Sequence, residues 1–222
     1  GADTLTVNGS EVAHTLGAGD DTVVVKDAAF ANLVKGFSVD GGKGTDTLSM
    51  VSAVATDGQM TADFFNKTFT NFEELALSDS MDNTINMANF AGIDHLTLAG
   101  TSGTVEVKNM QSGSTLELGT GSYSAFTVSV DGAAANKADV LNIALTGDQK
   151  VDGQAITVAD VETINVVATD TDLSNGVIDH ALALKAAAAT TVTVSGDATL
   201  NLTLDPSSIA ITKINASENT GG

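Results

Sequence analysis

The sequence predicts an all-β protein, a parallel β-helix or β-roll solenoid with Gly/Asp-rich turns and a few short helical insertions. Three observations predict it. A nonapeptide of glycine, aspartate and aliphatic residues recurs at the spacing of one coil. Short apolar runs alternate with polar residues through most of the chain. A degenerate hexapeptide recurs between Phe72 and Ala216.

The nonapeptide is clearest at Gly41-Gly42-Lys43-Gly44-Thr45-Asp46-Thr47-Leu48-Ser49, which reads G-G-x-G-x-D-x-U-x with U aliphatic. This is the pattern of parallel β-rolls that bind calcium. Glycines let a tight loop turn its carbonyl oxygens inward at backbone angles that a Cβ forbids. The aspartate adds a negative charge, and Ca²⁺ takes oxygen ligands in flexible geometry. The aliphatic residue two positions on starts a strand whose side chain fills the coil. Gly17-Ala18-Gly19-Asp20-Asp21-Thr22-Val23 gives G-x-G-x-D-x-U, and Gly1-Ala2-Asp3-Thr4-Leu5 gives G-x-D-x-U. Asp3 and Asp21 are 18 residues apart, two nonapeptides, so they are expected to stack. Between them the motif is lost, with Val12 at the aspartate position. Asp21 to Asp46 is 25 residues, which predicts an interruption of the strict roll. Lys137-Ala138-Asp139-Val140-Leu141 keeps the aspartate without the glycine, and leaves calcium and an ordinary turn as open alternatives for Asp139. Met81-Asp82-Asn83-Thr84-Ile85 puts Asn83 at that position and reads better as a turn.

The strands follow from the alternating runs. They are Leu75–Leu77, Leu96–Leu98, Val105–Val107, Leu116–Leu118, Phe126–Val128, Leu141–Ile143, Ile164–Val166, Val192–Val194 and Leu200–Leu202. Several starts lie about 8–12 residues apart with Gly, Asn, Asp or Ser between, which suits a sandwich or a solenoid. The nonapeptides and the Thr, Asn and Ser beside the aliphatics favour the solenoid. The hexapeptide (apolar, acidic, any, apolar, polar or small, apolar) occurs at Phe72–Leu77, Ile93–Leu98 and Val161–Val166, and more loosely at Ile211–Ala216. Such repetition implies stacked coils, each covering its neighbour's open edge.

Helical insertions are expected where caps precede apolar residues. Asp27 caps Ala28–Val34, with Gly36 at its end, and Thr61 caps Ala62–Asn66. Ile178–Ala189 is Ala-rich enough for a third helix, with flanking Thr and Val pulling the other way. Pro206 marks a turn after Leu204. The expected organisation is a calcium-binding β-roll segment over 1–55 and an irregular solenoid over 56–222 continuous with it. The chain opens inside a motif and is read as a segment of a longer polypeptide.

Composition narrows the function classes. The net charge is −19, with 28 acidic residues against 9 lysines and no arginine. Nucleic acid is disfavoured, since phosphate binding needs a basic surface, and so are anionic substrates held by guanidinium groups. There is no cysteine, hence no disulfide or thiolate site, and no apolar run approaches a membrane span. His14, His95 and His180 have no metal-ligand spacing partner; His95 is expected to face solvent and His14 to fill a coil or an edge. Carboxylate pairs such as Glu73-Glu74 are most simply solvated. No nucleophile elbow, phosphate loop or H-E-x-x-H motif is present. No catalytic residue is assigned, and a non-enzymatic protein is expected.

Gly41–Ser49 and Gly17–Val23 resemble the calcium-binding repeats of RTX proteins exported by type I secretion from Gram-negative bacteria. Asp82–Asn86 leading to Gly92–Leu98, with Val161–Val166 and Ile211–Ser217, resembles the strand repeats of RTX-type surface-layer (S-layer) proteins. The resemblance implies that Asp21 and Asp46 donate side-chain oxygens to calcium, with carbonyls of Gly17, Gly19, Gly42 and Gly44 completing the shells, and that Asp3 does the same at the edge. It implies an extracellular lattice that calcium folds and joins, self-association as the main partnership and a cell-surface polysaccharide as a further partner. The alternatives are a stalk or ligand-binding module of an RTX adhesin, or the calcium roll of a secreted enzyme.

Overall fold

The structure is a computed structural model that describes residues 1–7, 12–26, 36, 38–147, 150–171 and 177–221, with the backbone alone at 153 and 154. In chain order it runs β1 (Thr4–Val7), β2 (Ala13–Ala18), β3 (Thr22–Val25), β4 (Ser38–Lys43) and β5 (Thr47–Met50). Two short helices, α1 (Ser52–Ala55) and α2 (Ala62–Thr68), lead to β6 (Phe69–Thr70), β7 (Glu74–Leu77), β8 (Ile85–Asn86) and β9 (His95–Leu98). Then come β10 (Glu106–Met110), β11 (Thr115–Leu118), β12 (Phe126–Val130), β13 (Val140–Gly147) and β14 (Asp152–Ala159). The last strands are β15 (Thr163–Asp170), β16 (Asp179–Lys185), β17 (Thr191–Gly196), β18 (Thr199–Leu204) and β19 (Lys213–Asn219).

Odd-numbered strands from β1 to β19 form one ten-stranded sheet; β8 to β18 form a six-stranded sheet of even-numbered strands, and β2, β4 and β6 a three-stranded one. The strand pairs are parallel, so each coil contributes one strand to each wall and the chain advances as a β-solenoid. The predicted fold class is the observed one.

Period-2 alternation produces this wall. Leu5, Val23, Leu48, Leu75, Leu96, Leu116, Ile143, Val166 and Val194 stand in register across nine strands of the ten-stranded sheet. From Val23 to Val166 every one of them has zero exposure. Burying each side chain is worth about 1.5–3 kcal/mol, and each coil supplies the apolar floor for the next. The row beside it points outward: Thr4, Thr22, Thr47, Glu74, His95, Thr115, Asn142, Asn165, Thr193 and Asn215. Asn165 Nδ2 donates to Asn142 Oδ1 at 2.9 Å and Thr193 Oγ1 to Asn165 Oδ1 at 2.6 Å, so polar side chains ladder along the axis as the aliphatics do.

Where a coil is wider, aromatic rings fill it. Thr61 caps α2 as expected, its hydroxyl accepting from Phe64 N–H, and the helix brings Phe65 against Phe90 in an edge-to-face contact at 5.1 Å. Phe69 and Phe72 extend the cluster.

One expectation is corrected. Ile178–Ala189 is not a helix: it carries β16, whose alternating His180, Leu182 and Leu184 are buried between β14 and β18. Two neighbouring strands offer ladder hydrogen bonds and an apolar floor, and these outweigh alanine's weak helix preference. The 25-residue interval interrupts the strict 18-residue coil, as expected, without breaking the stack. Thr22 pairs with Thr47 in direct register, and the extra residues lie between β3 and β4. The helix expected at Ala28–Val34 lies outside the described residues.

Candidate metal centre

The acids of the nonapeptides occupy the position just before each strand of the ten-stranded sheet. One step upstream of the outward row, this position reads Asp3, Asp21, Asp46, Glu73, Asp94, Ser114, Leu141, Ile164 and Val192 along the axis. In the C-terminal coils it is an ordinary core position, with Leu141, Ile164 and Val192 at zero exposure. In the N-terminal coils acids stand in it, which is why Asp21 and Asp46 are 1% and 0% exposed.

A buried carboxylate needs partners, and each finds one on the coil before it. Asp21 Oδ1 accepts from the Asp3 N–H at 2.6 Å, and Asp46 Oδ1 from the Asp21 N–H at 2.7 Å. Glu73 Oε2 accepts from the Asp46 N–H at 2.8 Å. These backbone donors lie upstream of the strands, beyond the reach of the sheet ladder, and the carboxylates extend the ladder by one rung. The device recurs at Glu162 on the Asp139 N–H, and at the far ends of strands Asp79 accepts the Ser52 N–H after β5 and Asp197 the Asp170 N–H that ends β15. Glu73 is therefore engaged rather than solvated, correcting the sequence expectation. The signal for Glu73 and Glu162 was present: both are the acidic second residue of the hexapeptide.

The second oxygen of each buried aspartate is different. Asp21 Oδ2, Asp46 Oδ2 and Asp139 Oδ2 are buried without a hydrogen-bond partner. Beside the first two, the glycine turns are stacked as closely as backbone allows. Gly17 pairs with Gly42 across β2 and β4, and a Cβ on Gly42, at φ +107°, would stand 2.1 Å from the Gly17 carbonyl oxygen. A Cβ on Gly44 would stand 2.2 Å from Gly19 O, and one on Gly41 2.7 Å from Asp46 Oδ2. Glycine is required there because the carbonyls and the carboxylate already fill the space a side chain needs.

Asp21 and Asp46 stand on consecutive coils, the Gly17 and Gly19 carbonyls lie against Gly42 and Gly44 of the next coil, and Asp3 stacks directly on Asp21 but stays exposed. Asp139 is not brought to them. It precedes β13, four strands along the sheet from β5, about 19 Å away at the spacing of paired strands, and the turn stacked beside it is Ser112-Gly113, whose Gly113 N–H donates to Val140 O at 2.8 Å. Among the described residues no three His, Asp or Glu side chains converge on one point. A cation at the Asp21–Asp46 turns would be held by at most two carboxylates, with backbone or water oxygens for the rest. That donor set is oxygen-only and anionic, the chemistry a hard divalent cation takes.

Two histidines are structural partners. His180, fully buried, accepts the Val151 N–H at Nδ1 (3.0 Å) and places Nε2 3.0 Å from the Thr169 carbonyl, so it is held as the neutral Nε2–H tautomer. His95 faces outward from β9, as its alternation predicts, with Nε2 2.8 Å from Glu117 Oε2. His14 is half-buried on the edge strand β2.

At the other end of the solenoid the walls close on β18 and β19. Leu200, Leu202 and Leu204 are half-buried and Ile214 is 55% exposed, around a groove of about 400 Å³. No helix among the described residues is long and apolar enough to cross a membrane. No protein-family model matches the chain, and no curated protein is significantly similar to it.

Proposed function

We propose that the chain is a calcium-stapled structural segment of an extracellular surface layer, a non-catalytic β-solenoid of a Gram-negative bacterium exported by type I secretion. One observation carries the calcium part: Asp21 and Asp46 each hold a buried carboxylate oxygen without a partner, two residues after a glycine of the stacked turns. A buried anionic oxygen with no donor is costly, and a cation between consecutive coils would satisfy both. Without calcium the net charge of −19 opposes compaction, which suits passage as an unfolded chain; millimolar calcium outside the cell would neutralise the staple and drive folding.

The surface-layer part is supported by the resemblance of the repeats. The partners are copies of the same protein, with a cell-surface polysaccharide as a second candidate. A non-catalytic role is supported by His180, whose ring nitrogens serve the backbone. Electron microscopy of the full polypeptide with calcium and with EGTA tests the proposal. Ordered sheets with calcium and dispersed particles without it are expected. Melting and assembly indifferent to EGTA would overturn the calcium claim; a calcium-dependent monomer that binds glycan would overturn the lattice and favour an adhesin module.

A further inference from the structure

A chain of side-chain contacts, hydrogen-bonded except for the longer Glu74–His95 pair, crosses five strands on the outer face of the ten-stranded sheet. Thr47 of β5 donates through Oγ1 to Glu74 Oε2 of β7 at 2.9 Å. Glu74 Oε1 lies 3.7 Å from His95 Nδ1 of β9, and His95 Nε2 lies 2.8 Å from Glu117 Oε2 of β11. Glu117 Oε1 accepts the Thr146 hydroxyl of β13. His95 is the central member, and the one side chain of its outward row able to carry positive charge. Its side chain is 24% exposed, with Glu117 at 23% and Glu74 at 33%, so water screens the group only in part.

We infer that His95 is a proton-operated clasp: protonated, it joins Glu74 and Glu117 across three consecutive coils; neutral, it releases one of them. The chemistry requires this asymmetry. A neutral imidazole has one N–H, so it donates to one carboxylate and turns a lone pair toward the other, whereas the imidazolium donates from both nitrogens. The charged groups facing the ring are Glu74 from β7, Glu117 from β11 and Asp94 from the residue before it. All are acidic and nothing basic opposes them. The Glu117 bond holds the imidazole above the ordinary histidine value of 6.5, with partial burial opposing and Glu74 and Asp94 adding to the rise. Reciprocally, the His95 bond holds Glu117 below 4.5, again against burial, with the Thr146 hydroxyl assisting.

The sign of the linkage follows. His95, raised in the folded state, contributes stability that is complete below pH 6.5 and is lost as pH rises through its folded value. Glu117, lowered, contributes above pH 4.5 and loses its contribution as pH falls through its folded value. The clasp is fully closed between those limits and opens toward alkaline pH.

Proton NMR titration of the imidazoles in the intact chain, assigned with His95→Gln, tests this. His95 is expected to titrate above the free-peptide value of ~6.5, and Glu117→Gln to lower the midpoint. Glu74→Gln is expected to lower it less, and serves if Glu117→Gln does not fold. The thermal midpoint of the wild type should fall between pH 6 and pH 8.5 by more than that of His95→Gln. A wild-type His95 midpoint at or below ~6.5, or one unmoved by both substitutions, would overturn the clasp.

Discussion

Replacing Asp46 by asparagine separates the two roles of this carboxylate. Asp46 is fully buried, with Oδ1 bound to the Asp21 N–H at 2.7 Å and Oδ2 without a partner. Asparagine keeps the Oδ1 acceptor and exchanges the unpaired anionic oxygen for a neutral amide. A hydrogen bond to a charged group is worth about 1.5–3 kcal/mol and to a neutral one about 0.5–1.5, so the exchange loses about 1 kcal/mol. Burying an uncompensated charge costs several kcal/mol, and the amide removes that cost. In EGTA, D46N is therefore expected to be more stable than wild type by about 1–3 kcal/mol, a rise in Tm of about 2–12 °C for a chain of this size. With calcium the wild type gains more than the variant and the difference closes or reverses. At a hundred times Kd a cation stabilises the wild type by about 2.7 kcal/mol and the uncharged variant much less. Differential scanning calorimetry of both proteins in excess calcium and in EGTA reads the change in their difference directly. A D46N effect of the same sign and size in both buffers would refute the reasoning and leave Asp46 as a backbone acceptor alone.

Other substitutions probe the remaining links. D46A leaves the buried Asp21 N–H without an acceptor and should cost about 1–3 kcal/mol relative to D46N in EGTA, read by urea unfolding. Gly42→Ala places a Cβ 2.1 Å from Gly17 O at φ +107° and should lower stability by more than about 3 kcal/mol, whereas Gly58→Ala, with nothing within 4 Å, should stay within about 1 kcal/mol. Leu116→Ala, at zero exposure in the core row, should cost about 2.7–5 kcal/mol in the same assay. His180→Ala removes the acceptor of the Val151 N–H and should cost about 1–3 kcal/mol plus the cavity; glutamine, which restores an acceptor, should recover part of it.

The solenoid was legible because its two signals are local. Period-2 alternation fixes which side chains face the lumen, so all nine runs read as strands are found in or at the ends of strands of the observed walls. Spacing predicted that Asp3 stacks on Asp21, and the nonapeptides marked the glycine turns where close backbone approach forbids a Cβ. The inter-coil roles of Glu73 and Glu162 went unread, because a carboxylate that reaches a backbone N–H 23 or 27 residues upstream leaves no local trace. The His95–Glu117 contact was hidden in the same way.

By itself, then, the sequence determined the fold class, the inward and outward faces, the glycine turns and the acids beside them. Only the tertiary structure decided register. The Val161–Val166 and Ile211–Ala216 copies of the hexapeptide stack with their phase moved two residues from that of Phe72–Leu77 and Ile93–Leu98. A two-residue slide preserves which side chains face the core, so alternation cannot distinguish the two pairings. It is this slide that puts Leu141 and Ile164 in the row where Asp21 and Asp46 stand, and so decides which coils carry an acid in the core.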